Sequence, residues 1–461
     1  MSIDQQTYVE RRAVLRGRVP GGAILLLGLN EAPRNYAANT YPFRQDSHLL
    51  YYTGIDLPDT ALLILPDGEE IFFGVDVDLE TIVWTGPVPP IADLAAGAGI
   101  RRSEDPSRLV DRLAALAAKN VPLHYLPPYR AEMTLRLGKL LRRASENVAA
   151  GASVELTRAV ARQRSIKTPD EVAQIEEALR ITALMYEVAL RETRPGRREA
   201  EIAGLMQGVA LSHERAQTFL PIVSVHGEIF HNTKYGNTLH GGELLLIDSG
   251  VESPLYYASD ITRTIPVAGK FQERQAAIYR LVLAMQAAVI ATASPATSNR
   301  ELHLLAARTA VNGLKEIGLM QGEVEEAVRA GAHALFFPHG IGHMLGLDVH
   351  DMEDLGDVVG YADGEARSSQ FGLSFLRLAR RLEPGFVLTV EPGIYFIPAL
   401  IESWAAEKRH AEFIRYEALA PYRGFGGIRI EDDILVTETG CRVLGPGIPK
   451  DPAAIEAAMA G

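Results

Sequence analysis

One cysteine in 461 residues, Cys441, excludes an intramolecular disulfide framework and any site built on several thiolates, and it suits a reducing compartment. Aromatic residues make up only 7%, and 46 basic residues face 58 acidic ones, for a formal net charge of −12. That balance argues against general binding to nucleic acid or to anionic membranes. Long hydrophobic runs are also missing: the early apolar stretch from Ala23 to Leu29 falls far short of the roughly 20 residues a bilayer requires, and acidic Asp4 and Glu10 precede it. No signal peptide and no transmembrane helix are therefore expected, and the expected location is cytoplasmic. What is plentiful is apolar residue, 47% of a chain long enough for two or three well-packed domains.

Up to about residue 165, strand-like runs alternate with helical stretches. GAILLLGL from Gly22, LLYYTGI from Leu49 and ALLILPDGEEIFFGV from Ala61 read as strands, the last turning back at Pro66-Asp67-Gly68. Helical patterns cover about 106–118 and 131–147, with PLHYLPP from Pro122 as a short strand between them. Residues 1–165 are thus expected to form an α/β domain. Thr168, Pro169 and Glu171 stand in a capping-box arrangement with proline at the first helical position, so a helix should begin there. Val172, Ile175, Leu179, Thr182, Tyr186 and Ala189 keep one face apolar until Arg194-Pro195-Gly196 ends it. Beyond Leu220 strand-like segments dominate, interrupted by helices at about 272–293, 298–317 and 322–331, which predicts one α+β domain over 166–461.

The polar chemistry collects in that second part. GGELLLIDSGVESPLYYASDITRTIPV has two β-rich arms around a Glu-Ser-Pro turn, and a hairpin there brings Asp248 and Asp260 to the same end and face. An ionised carboxylate in such a strand is costly unless paired or metal-bound, although either aspartate alone is also an ordinary turn cap. PHGIGHMLGLDVHD from Pro338 gathers His339, His343 and His350 beside Asp348 and Asp351, whereas a single histidine would most simply be a core residue. TVEPGIY places Glu391 after the apolar run FVLTV, and GFGGIRIEDDILVT places Glu431 inside another strand; both interrupt apolar β segments where a buried carboxylate needs a cation. Four carboxylates and one imidazole make an oxygen-rich set that suits two divalent ions such as Mn²⁺, Co²⁺ or Zn²⁺ better than a lone structural zinc. Carboxylates can bridge two such ions, and a water held between them is deprotonated near neutral pH, so hydrolysis is the expected chemistry.

The order Asp, Asp, His, Glu, Glu within LIDSG, SDITRT, HGIGHMLGLDVHD, TVEPGIY and GIRIEDD resembles the metal-dependent members of the pita-bread peptidase superfamily, specifically the Xaa-Pro group of prolidase and aminopeptidase P. YPFRQDSHLLYYTGID resembles the aminopeptidase P type of N-terminal domain, so the likeness covers nearly the whole chain. It implies an α/β N-terminal domain of the creatinase/aminopeptidase P type and an α+β pita-bread catalytic domain whose curved sheet cradles the ions. By the same resemblance, Asp248 chelates one ion, His343 and Glu391 bind the other, and Asp260 and Glu431 bridge the pair. Glu391 is then the candidate proton shuttle, while His231 and His350 steady the carbonyl oxygen or the tetrahedral intermediate. His339 and Arg429 would orient the carboxylates, an ordinary surface strand arginine being the alternative for Arg429. Manganese is the ion expected first, with cobalt or zinc as alternatives, and a homodimer or homotetramer is the expected assembly.

Between His350 and Glu391, YADGEARSSQFGLSFLRLARRLEPG resembles the prolidase insertion, and Arg377 falls where prolidases place an arginine for the substrate's C-terminal carboxylate. Such a clamp selects Xaa-Pro dipeptides, so the expected activity is that of an Xaa-Pro dipeptidase; alternatively Arg377 joins Arg367, Arg380 and Arg381 on a solvated helix face. The rest of the chain resembles bacterial aminopeptidase P as closely, an enzyme that releases the N-terminal residue from longer peptides. His226-Gly227 in SVHGEIFHN departs from the serine-glycine loop of relatives, so a different substrate rim is expected near His226. Proline demands such a dedicated site because its amide has no N–H to grip and its ring fixes φ. A metal-free creatinase-like hydrolase or a non-catalytic pita-bread binding protein would lack several of the five ligands. Methionine aminopeptidase normally lacks the large N-terminal domain and the HMLGLDVHD stretch.

Overall fold

In the computed structural model, which describes residues 3–460, the chain divides into two units. The first runs to Arg164 and takes in Met352–Val359; the second holds Ser165–Asp351 and the chain from Gly360 onward. The short segment Met352–Val359 lies inside the span expected for the catalytic domain, yet it belongs with the first unit. Its anchor there is Asp354, whose Oδ2 meets His48 Nε2 at 2.9 Å while Arg164 Nη1 donates to His48 Nδ1 at 2.8 Å.

The first unit is built on a five-stranded mixed sheet in the order β4-β3-β2-β1-β5, with β1 Ala23–Leu27, β2 Ala61–Ile64, β3 Glu70–Phe73, β4 Arg102–Glu104 and β5 Leu123–Tyr125. β1 and β2 are buried at every residue, which is why they read as unbroken apolar runs rather than as alternation. Leu25, Leu63 and Phe73 pack in one cluster with Leu109, Leu113 and Leu137 of the helices Ser107–Ala118 and Ala131–Leu141. The hairpin at Pro66-Asp67-Gly68 forms as expected, with Leu65 N donating to Glu69 O and Gly68 at φ +93°.

Two expectations fail here. LLYYTGI is no strand: Ser47–Thr53 is a helix, capped by Asp46, whose side chain accepts from His48 N and Leu49 N, and closed by Gly54 at φ +67°. All seven of its residues are buried, so the run has no polar face and its periodicity cannot separate helix from strand; only the caps do. The helix expected over 131–147 stops at Leu141, because Arg142 turns left-handed at φ +50° and two 3₁₀ turns follow.

The second unit opens with the helix Pro169–Glu192, and the capping box of Thr168 and Glu171 is present. The other expected helices are Glu273–Thr292, Asn299–Glu316 and Val324–Ala330. Glu273–Thr292 is long and apolar enough to cross a membrane by length and composition alone. In this fold it packs on Asn299–Glu316, buries Ile278, Val282, Met285 and Val289, and sends Gln286 to the carbonyls of Val390 and Ile430. Three small antiparallel sheets complete the unit: β6 Ile222–Ser224, β7 Leu244–Ser249 and β8 Ile261–Pro266; β9 Val387–Val390 with β12 Asp432–Val436 and β13 Cys441–Val443; and β10 Gly393–Tyr395 with β11 Gly427–Arg429.

Candidate metal centre

Asp248 lies near the end of β7, opposite Thr262, and Asp260 immediately precedes β8. The loop between them closes tightly because position 250 is glycine: a Cβ there would fall 1.8 Å from Ser259 O. His343 is placed by a run that lies along β9, with Leu345 N donating to Val387 O at 3.0 Å, Thr389 N to His343 O at 3.0 Å and Glu391 N to Ile341 O at 2.9 Å. Glu391 follows β9 directly, so this ladder sets His343 and Glu391 side by side. Glu431 is not inside a continuous strand as expected. β11 pairs with β10 whereas β12 pairs with β9, so the chain changes partner at Ile430-Glu431, and Glu431 N donates across to Thr262 O at 3.0 Å.

All five predicted ligands line one cavity of about 900 Å³, together with His231, His339, His350, Arg377 and Arg429. His343 Nδ1 donates to Met344 O at 3.1 Å, which leaves Nε2 as the lone-pair nitrogen, 3.5 Å from Asp260 Oδ2 and 3.7 Å from Glu391 Oε1. Asp260, His343 and Glu431 each offer a ligand atom, all within 4.8 Å of one another. Burial pushes the carboxyl of Asp260 well above its ordinary range, and Asp248 and Glu391 push it further. Glu431 is raised well above its range by burial and by Asp260 and Glu391; Glu391 is raised by burial, against the opposing pull of His343 and Arg429. Among the described residues, Asp248 Oδ1 and Asp260 Oδ1 are buried with no hydrogen-bond partner. Clustered acids with orphaned oxygens and one imidazole lone pair fit divalent cations, which remove both the repulsion and the unmet acceptors.

Arg429 is no surface arginine: it is 4% exposed and its guanidinium ties the cluster together. Nη2 donates to Asp248 Oδ2 at 2.5 Å, Nη1 to Tyr395 Oη at 3.1 Å, and Nε to Thr262 Oγ1 at 3.1 Å, while Thr262 donates onward to Glu431 Oε2 at 2.7 Å. His339 donates from Nδ1 to Gly340 O at 2.8 Å and accepts at Nε2 from Tyr395 Oη at 2.8 Å. Burial and the nearby Arg429 bring its pKa down to about 3, so the ring is neutral. His350 sits edge-on to the His343 ring at 4.3 Å. His231 is also held below its ordinary pKa, by partial burial and then by Arg429.

Arg377 does not lie on a basic helix face, since residues 376–380 are not helical. Its neighbours are engaged elsewhere: Arg380 pairs with Glu383 at 2.6 Å and Arg381 donates to Ala296 O at 2.5 Å. His226 is exposed, meets Glu228 Oε1 at 3.1 Å and does not line the cavity. Asp351 makes a buried 2.8 Å ion pair with Lys167 instead of joining the ligands.

Sequence reasoning missed Tyr395, Thr262 and Asp433, whose Oδ2 accepts from Asp260 N at 3.1 Å. Each lies two to four residues from a predicted ligand in a motif already singled out, so its position was the available signal. The apolar wall of Phe219, Phe230, Phe371, Phe375 and Ile397 had none, because it is assembled from segments far apart in the chain. Gly342 is as demanding in its own loop: a Cβ would sit 2.0 Å from Thr389 O. Gly342→Ala is expected to cost about 1–3 kcal/mol of stability by forcing the His343 run away from β9, read as a lowered unfolding midpoint in denaturant. An unchanged midpoint would count against this account of the glycine.

Residues 173–438 match metallopeptidase family M24, and residues 8–124 match the aminopeptidase P N-terminal domain. The chain is 34% identical to the Xaa-Pro aminopeptidase of Escherichia coli, over 99% of this chain and 98% of that protein. It is 32% identical to the Xaa-Pro dipeptidase of Homo sapiens, over 96% of this chain and 90% of that protein. Among solved structures, proline aminopeptidase P II from Yersinia pestis superposes with a TM-score of 0.82 at 31% identity, covering 99% of this chain and 100% of that one. A zinc-substituted Escherichia coli aminopeptidase P in complex with product gives a TM-score of 0.80 at 29% identity, covering 100% and 99%.

Proposed function

The chain belongs to metallopeptidase family M24, with an aminopeptidase P type of N-terminal domain, and from that premise we propose that it hydrolyses the peptide bond before proline as an Xaa-Pro dipeptidase. Asp248, Asp260, His343, Glu391 and Glu431 would hold two divalent ions, manganese first, which when bound would supply Lewis-acid polarisation and a water activated near neutral pH. Glu391, whose carboxyl burial raises above its ordinary range, accepts and returns the proton that moves to the leaving proline nitrogen. His231 and His350 donate to the carbonyl oxygen as it gains charge. Arg429 and His339, joined through Tyr395, keep the ligand carboxylates aimed. The single, half-buried Cys441 fits a cytoplasmic enzyme, and a homo-oligomer is the assembly we propose with it.

The observation that carries the dipeptidase reading is the position of Arg377. It lines the same cavity as the ligands, and its charge is felt by Glu391, His231 and His339. A guanidinium at that point suits a free carboxylate one residue beyond the scissile bond. The aminopeptidase reading is favoured by a different observation, a cavity of about 900 Å³ whose wall runs on through Phe371, Phe375 and Leu400, more room than two residues fill.

The two readings separate on rates for Ala-Pro and Ala-Pro-Ala under matched Mn²⁺. A dipeptidase is expected to favour Ala-Pro by at least about tenfold, in line with one charge-assisted clamp; a preference for the tripeptide would overturn that reading in favour of the aminopeptidase. Arg377→Ala is expected to lower kcat/KM for Ala-Pro by on the order of 10- to 100-fold and to leave Ala-Pro-Ala nearly unchanged. Equal losses on both substrates would remove the carboxylate clamp.

A further inference from the structure

Four polar residues that do not line the cavity form one largely buried chain next to it. Arg263, 1% exposed, donates from every N–H it has: Nε to Pro449 O at 3.0 Å, Nη1 to Thr262 O at 2.9 Å and to Glu431 O at 2.7 Å, and Nη2 to Asp432 Oδ1 at 2.7 Å and to Ile448 O at 3.1 Å. The second oxygen of Asp432 accepts from Lys450 Nζ at 2.5 Å, and the same ammonium donates to Gln286 Oε1 at 3.0 Å. Gln286 Nε2 then donates to Val390 O at 3.2 Å and Ile430 O at 3.3 Å. Besides those of Ile448 and Pro449, the carbonyls held in this way belong to Glu431 itself, to the residues just before Glu391 and Glu431, and to Thr262, two residues after Asp260.

We propose that Arg263, Asp432, Lys450 and Gln286 act as a positioning frame that fixes the spacing of the ligands Asp260, Glu391 and Glu431, and that the segment Ile448–Lys450 thereby acts on metal affinity. The proposal rests on the metal-hydrolase reading above. Carboxylates crowded into one buried site repel each other before a cation arrives, so their backbone must be held against that push. Ligand atoms displaced by a few tenths of an ångström no longer share an ion. Gln286 and Arg263 hold the backbone at both glutamates, and Lys450 keeps Asp432 and Gln286 turned towards those tasks.

The test uses the full chain and Mn²⁺ titration calorimetry on the metal-stripped protein. Lys450 is one-third exposed, so Lys450→Met leaves no large void and keeps the pairing of Arg263 with Asp432. It is expected to weaken Mn²⁺ binding by on the order of 10- to 100-fold, while Lys450→Arg restores affinity to within about threefold and KM at saturating Mn²⁺ stays within about twofold. Gln286→Met should weaken binding in the same range. Wild-type affinity in both Lys450→Met and Gln286→Met, even with lowered thermal stability, would reduce the frame to ordinary core packing and overturn the proposal. Failure of the unaltered protein to take up Mn²⁺ would instead overturn the metal reading beneath it.

Discussion

Asp260→Ala and Glu431→Ala are each expected to cut turnover of Xaa-Pro substrates by roughly a thousandfold or more, because on the proposed assignment each removes a carboxylate that would hold the ions. The same substitutions should have the opposite effect on the metal-free fold. Asp260 is buried beside Asp248 and within reach of Glu391, and Glu431 is buried beside Asp260, so deleting either acid relieves repulsion that only a cation otherwise offsets. In the presence of a chelator the variants should therefore unfold at a temperature equal to or above that of the unaltered protein; with Mn²⁺ they should unfold below it. Near-normal turnover in either variant would contradict the ligand assignment. A drop in metal-free stability would contradict the repulsion.

The second large effect is the pH dependence of metal-linked stability. Asp260, Glu431 and Glu391 have folded-state pKa values raised above those of the unfolded chain, so between the two the folded protein holds more protons. Their contribution is accordingly most favourable below the ordinary carboxylate range, near pH 4, and is lost as pH rises through the raised values. Cation binding reverses this, since it needs the deprotonated ligands and stabilises by about 2.7 kcal/mol at a free ion concentration a hundred times Kd. The increment in unfolding temperature on adding Mn²⁺ is thus expected to grow by several degrees from pH 5 to pH 8. Comparing scans with Mn²⁺ and with chelator at each pH matters, because His303 and His333 slope the other way. Burial holds them neutral with pKa values of about 3 and 4, and their contribution is lost as pH falls below 6.5. They lie outside the ligand set and cancel in the difference. An increment constant from pH 5 to pH 8 would mean that the acids are not raised.

Why the clustered acids could be singled out from the chain while their surroundings could not is a matter of range. Asp248, Asp260, Glu391 and Glu431 each break an apolar β run, and that mismatch is local, visible within six or seven residues. The capping box at Thr168 and the turn at Gly68 are legible for the same reason: their partners lie within three residues. Ser47–Thr53 defeated the pattern because burial on all sides erases the difference between periods of two and 3.6. The break at Ile430-Glu431 defeated it because two partner strands, β10 and β9, lie far away in sequence.

By itself, then, the sequence determined which side chains are anomalous: acids in apolar strands, histidines in a glycine-rich run, an arginine two residues before a glutamate. Only the tertiary structure decided that they face one cavity, that Arg429 is buried against Asp248, and that Arg377 shares the cavity instead of lying on a helix. Local pattern records the cost of placing a charge in apolar surroundings, since that cost is set by near neighbours in the chain. What offsets the cost comes from residues up to 181 positions away, as between Asp248 and Arg429, and no short stretch of chain carries that pairing.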